Sequence, residues 1–143
     1  MSTSELADAV EQNHRALDAF VKGDAEPLKA LYSRRDDITL ASPFGPPVRG
    51  WSDVAETLER AASNYRDGEA TGFERVSDYA TDELGYTVEV ERYVSKVGGV
   101  ADLSQVALRV TTVFRREDDA WRIVHRHADP ITSSRPAESV AAR

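Results

Sequence analysis

The chain has 143 residues, 41% hydrophobic and 30% charged, which fits one folded domain and not a disordered chain. Lys and Arg number 18 against 25 Asp and Glu, a net charge of −7, so the clustered basic charge of a nucleic-acid binder is missing. There is no cysteine, which excludes disulfides, thiolate nucleophiles and Cys-ligated metal centres, and no apolar run approaches the ~20 residues of a membrane helix.

Ser2-Thr3-Ser4-Glu5 is a cap cluster, with Ser2 and Glu5 in capping-box spacing. No signal-peptide pattern is visible there, so a cytoplasmic location is the expectation. Leu6, Ala9, Val10, Asn13, Ala16, Leu17 and Phe20 recur at three and four residues, which predicts a helix over about 4–22. Gly23 can take the left-handed conformation that ends it. Asp24 caps a short second helix with Pro27 in its first turn and Leu28, Leu31 and Tyr32 on its buried side.

Residues 37–41 read as a strand, broken by Pro43, Gly45, Pro46 and Pro47. A third helix follows Gly50, about 51–66, with an apolar stripe through Trp51, Val54, Leu58, Ala61 and Tyr65. After Gly68 the period changes to two. Strands are predicted near 70–79, 84–95, 104–116 and 120–129, joined by short turns that contain Gly98-Gly99 and Asp118-Asp119. Long strands and short turns imply an antiparallel meander. The expectation is one α+β domain over 1–130 and a flexible, patternless tail over 131–143.

Gly23-Asp24, Asp36-Asp37-Ile38-Thr39, Pro43, Gly45, Gly50 and the stretch Trp121-Arg122-Ile123-Val124-His125-Arg126-His127 together resemble the SnoaL-like branch of the nuclear-transport-factor-2-like superfamily. That superfamily also holds ketosteroid isomerases and the association domain of calmodulin-dependent kinase II. The likeness covers about residues 5–130. It implies a cone-shaped, curved antiparallel sheet wrapped around the three helices (a cystatin-like roll), a homodimer, and a pocket between helices and sheet. It does not imply one activity.

Parity divides the strands into faces. Apolar weight turns Tyr86, Val88, Val90 and Arg92 toward the helices, and likewise Val106, Leu108, Val110, Thr112 and Phe114. Glu89, Glu91 and Arg109 then fall on the outer face. On the last strand the resemblance implies that Val124, Arg126 and Ala128 line the pocket. Trp121 and Ile123 would then face outward beneath a dimer partner. A hollow bounded by Val90, Val110 and Val124 is expected.

The isomerases' Asp base matches Ser42, and their helix-one tyrosine falls near Ala16, so their mechanism is not implied. The arginines of the kinase association domain match Val88, Thr112 and Ala128, leaving Arg92 and Arg126 as anion-binding alternatives or as solvated rim groups. His125, His127 and Asp129 alternate along one strand face, as metal ligands, an acid–base set or interface groups would. His14 flanks the first helix's apolar stripe, as a satisfied rim histidine or a catalytic one. No dinucleotide, Walker, zincin, nucleophile-elbow or EF-hand motif is present.

These residues define a largely apolar pocket for a small organic ligand, with Ser42, Phe44, Trp51, Tyr65, Tyr86, Arg92, Thr112 and Arg126 as its candidate lining. The expected chemistry, with His14, His127 and Asp129 as candidates, is acid–base work of isomerase, cyclase or dehydratase type without a cofactor. The alternatives are a non-catalytic ligand-binding or oligomerisation module and a metal-assisted enzyme built on His125, His127 and Asp129. No nucleic-acid or membrane partner is expected.

Overall fold

A computed structural model describes residues 3–142. The capping box expected from Ser2 lies outside them. Helix α1 spans Thr3–Phe20 and α2 is a single turn, Glu26–Lys29. Strands β1 (Thr39–Ala41) and β2 (Val48–Arg49) precede α3 (Trp51–Ala62). Four long strands follow: β3 (Tyr65–Ala80), β4 (Leu84–Val97), β5 (Ser104–Glu117) and β6 (Ala120–Asp129). One short 3-10 turn, Ala137–Val140, buries nothing. No described helix is long and apolar enough to cross a membrane.

The α1 stripe is buried as its spacing predicts, from Leu6 and Val10 through Leu17 to Phe20. Gly23, at φ +99°, turns the chain, and the Asp24 carboxylate accepts the Glu26 N–H at 3.0 Å. At the β5–β6 hairpin Asp118 and Asp119 both have positive φ, the backbone that matches strand twist in a two-residue turn. The core lies between the helices and one face of the sheet, around Leu17, Leu28, Ile38, Leu58, Val110 and Phe114.

The sheet corrects the expected architecture. It has six strands in the order β2-β1-β6-β5-β4-β3, and β2 and β3 are free edges that do not meet. It is an open, mixed sheet with β1 parallel to β6, and not a closed, strongly curled cone. The reason is lateral: six strands lie side by side from β2 to β3, and no ladder joins these two edges among the described residues. The β3 edge is protected by three register shifts against β4 and by exposed charged residues such as Glu74 and Asp78.

Two face assignments also change. On β4 the buried residues are Gly85, Thr87, Glu89, Glu91, Tyr93 and Ser95, while Val88 and Val90 are part-exposed and Tyr86 and Arg92 exposed. The β4 register against β5 is regular, with Glu89 opposite Val110 and Glu91 opposite Leu108, so the whole strand turns these carboxylates inward. Apolar weight misleads here because each buried carboxylate has an arginine partner, Arg75 for Glu89 and Arg126 for Glu91.

On β6 the pairing slips between Val113 and Phe114, which face His125 and Ile123, and Val124 is the extra residue. The bulge lets Ile123 and Arg126 point to the same side, although they are an odd number of residues apart. Ile123 is 1% exposed, bridged to Tyr32, with its N–H donating to the Leu31 carbonyl at 2.9 Å. The placement of Ile123 on the outer face is thereby overturned. Trp121 is half-buried on that same inner side. Val90 faces away from the helices and Val124, at the bulge, packs partly buried against the core, so the hollow they were expected to bound with Val110 does not form.

Candidate functional site

Two polar groups interrupt the apolar interface between helices and sheet. The deeper one is built on β4 and β6. Glu91 is fully buried and Arg126 is 7% exposed. The guanidinium donates twice to the carboxylate, Nη1 to Oε2 and Nη2 to Oε1, both at 2.8 Å. The Tyr93 hydroxyl donates to Glu91 Oε1 at 2.5 Å. A carboxylate with three charge-compatible donors is satisfied without water. Burial opposes the charge on Arg126, and the adjacent Glu91 more than offsets it, so Arg126 stays a cation. Burial drives the Tyr93 phenol well above its ordinary range, and the Glu91 charge adds to this. Tyr32 is buried nearby with a hydroxyl that has no hydrogen-bond partner among the described residues, and burial raises its titration too.

Above this floor lies a cavity of about 20 Å³, room for one water. Its walls are apolar side chains of α1 and α3, among them Leu17, Phe20 and Leu58, and its polar lining comes from Ser42, Tyr65, Tyr93 and Arg126. Tyr65 carries its proton up to about 12, chiefly because it is buried. Phe44 closes the outer side and meets the Tyr65 ring edge-on at 5.7 Å.

The second group joins α1 to β4 and β3. His14 Nε2 lies 2.8 Å from Glu89 Oε1, and Arg75 Nε donates to Glu89 Oε2 at 2.8 Å. Arg75 Nη1 donates in turn to Asp78 at 2.6 Å. The His14 imidazole stacks on Phe73, centroids 3.8 Å apart and planes 4° from parallel. Burial pushes the Glu89 carboxyl up, but hydrogen bonds from His14 and Arg75 outweigh it and hold the group below its ordinary value. An ionised carboxylate only accepts, so Nε2 carries the proton and Nδ1 is left as the basic nitrogen. That arrangement is an imidazole base oriented by a carboxylate.

Of the residues singled out by sequence, the structure brings Ser42, Phe44, Tyr65 and Arg126 to the cavity. Trp51 sits elsewhere, with the Arg34 guanidinium 3.7 Å above its ring. Tyr86 is exposed beside Tyr79, and Arg92 is exposed and donates to Glu74 at 3.1 Å. Thr112 is buried between strands opposite Thr87 and Arg126 and does not line the cavity. His14 has a carboxylate partner.

His127 Nε2 lies 3.0 Å from Asp129 Oδ2, but Arg109 grips that carboxylate with two bonds, Nε to Oδ1 at 3.1 Å and Nη2 to Oδ2 at 2.7 Å. His125 Nδ1 is engaged by the Thr39 hydroxyl at 2.8 Å. Among the described residues no group of three His, Cys, Asp or Glu is placed to hold a metal ion, so His125, His127 and Asp129 do not form the metal site that their alternation suggests.

Glu89, Glu91, Tyr93 and Arg75 were missed as site residues. The signal available in the sequence was the pair Glu89 and Glu91 alternating with valines, which is also the pattern of a solvated strand face.

A family model for the SnoaL-like domain matches residues 10–132. Among solved structures, the chain is similar to a nuclear transport factor 2-like superfamily protein from Salmonella enterica, at TM-score 0.77 and 16% identity, covering 94% of each chain. A proposed dehydratase of the same family from Streptomyces avermitilis matches at TM-score 0.73 and 19% identity, over 92% of this chain and 97% of that one. A ketosteroid isomerase-like protein from Erwinia carotovora atroseptica matches at TM-score 0.69 and 14% identity, over 91% and 96%. No curated protein matches the chain significantly.

Proposed function

The chain belongs to the SnoaL-like domain family of the nuclear-transport-factor-2-like superfamily, and from that premise we propose that it performs cofactor-free acid–base chemistry on a small organic molecule. The observation that carries this reading is the His14–Glu89 pair on the helix-facing side of the sheet. His14 Nδ1 would take a proton from carbon or oxygen, and Glu89 would stabilise the imidazolium formed. Arg75 and the Phe73 stack hold the two side chains in one geometry. Dehydration or isomerisation of a carbonyl compound needs a base of this kind and no redox partner.

The test starts from the small molecules extracted from purified protein and a panel of β-hydroxy ketones and cyclic enones, each incubated in heavy water. Wild type should exchange the α-proton or release water, and His14→Gln should lose at least about a hundredfold in rate, the usual contribution of a general base. Equal rates in the two proteins would reject the assignment.

A non-catalytic binding module is the second reading. The observation that favours it is the small cavity whose strongest polar groups, Arg126 and Tyr93, are already spent on Glu91. Ligand binding that survives His14→Gln in a protein without turnover would select it.

We also propose a homodimer through the outer sheet face, where Val88, Val90 and Val113 are part-exposed together. Light scattering at micromolar concentration should give twice the 15.8 kDa chain mass. A monomer would reject it.

A further inference from the structure

We propose that Phe44 is a gate between the internal cavity and a surface groove, and that what passes it is a neutral, mostly apolar molecule. This deepens the pocket reading above and rests on it. Phe44, Ser42 and Ala61 line the inner cavity of about 20 Å³, and the same three residues line an adjoining groove of about 260 Å³ that opens beside α3. Phe44 therefore stands where the two spaces meet. Phe44 is 46% exposed, and on the inner side its ring meets the edge of Tyr65.

The backbone around it resists movement. Pro43, Pro46 and Pro47 have fixed φ, and the Ser42 hydroxyl accepts the Phe44 N–H at 3.1 Å. What remains free is the rotation of the Phe44 side chain. Swinging the ring into the groove would join the two volumes without moving the loop.

Charge decides the ligand class. Among the described residues Arg126 is the one formal cation lining the inner cavity, and Nη1 and Nη2 both donate to Glu91. The floor is thus electrically balanced, and an anion entering it would lose its hydration and find no free cation. On the groove wall Arg60 is paired with Glu56, and the groups left over are neutral. Tyr65 keeps its proton at any ordinary pH. Thr57, on the groove wall, has a buried hydroxyl with no hydrogen-bond partner among the described residues. Both suit a hydroxyl or carbonyl oxygen on an otherwise apolar body.

The test uses two dyes that differ by one charge, N-phenyl-naphthylamine and anilinonaphthalene sulfonate, with stopped-flow fluorescence. The neutral dye should bind saturably and at least about tenfold more tightly than the sulfonate. Phe44→Ala should raise its association rate about tenfold, and Phe44→Trp should lower it. Circular dichroism checks that both variants are folded, which the half-exposed position favours. Equal association rates in the three proteins, equal affinity for the two dyes, or no binding of the neutral dye would each overturn the gate. The dyes report binding without turnover, so loss of the His14 chemistry alone would leave this result standing.

Discussion

Glu91 on β4 and Arg126 on β6 meet across the intervening strand β5, joined by two 2.8 Å hydrogen bonds in a buried site. Neither would be tolerated there alone. Desolvating either charge costs several kcal/mol by itself, so the pair is strongly interdependent. The consequence is that Arg126 acts first on the fold and only through the fold on any ligand.

Replacing Arg126 by Ala should therefore destabilise the protein by about 3–5 kcal/mol, because it strands a buried carboxylate. The double variant Glu91→Gln with Arg126→Met should recover most of that loss. Chemical denaturation of the three proteins checks it. A single variant as stable as wild type would mean that the pair contributes nothing to the fold.

Glu89 links stability to acid. Its carboxyl titrates below the ordinary 4.5 in the folded state, because hydrogen bonds from His14 and Arg75 outweigh the upward push of burial. A depressed folded value stabilises the protein above the unfolded value and loses that stabilisation as pH falls through the folded one. Wild type should lose Tm steeply below about pH 4.5, and Glu89→Gln should show a flatter profile there. Parallel melting curves from pH 3 to 7 would settle the sign.

His125 titrates in the opposite chemical sense with the same direction of effect. Burial, then the neighbouring His127 charge, lowers its value from 6.5. The unfolded chain takes up the proton first, so this contribution is complete above pH 6.5 and declines as pH falls. His125→Gln should remove a shallow drop in stability just below that point, and NMR titration of the imidazole should place its midpoint below 6.5.

Two glycines of β3 should respond differently to the same change. A Cβ on Gly68 would lie 2.4 Å from the Val21 carbonyl and 2.7 Å from Ser95 Oγ, whereas at Gly72 nothing lies within 4 Å. Gly68→Ala should cost about 1–3 kcal/mol through overpacking against backbone, and Gly72→Ala should leave Tm within a few degrees of wild type. Similar melting points for the two variants would contradict the close approach of β3 to the end of α1.

Local patterns carried a good part of the architecture. The spacing of Leu6, Val10, Leu17 and Phe20 determined α1 and its buried face, and Gly23 its end, because a helix buries every third or fourth residue whatever lies opposite. The β5–β6 turn at Asp118-Asp119 was legible for a similar reason, since few residues accept the backbone it needs. The family followed from the same local signals.

The site did not follow from them. Alternation says that Glu89 and Glu91 share a face, but not which face, since a carboxylate paired inside the fold and one solvated outside it look alike along the chain. The bulge at Val124 shifts one residue and reverses the facing of half of β6, and it arises from the pairing with β5 and not from any residue type. The open sheet was likewise decided only in three dimensions, because closure depends on whether β2 and β3 come within hydrogen-bonding reach, a distance that neither segment encodes alone.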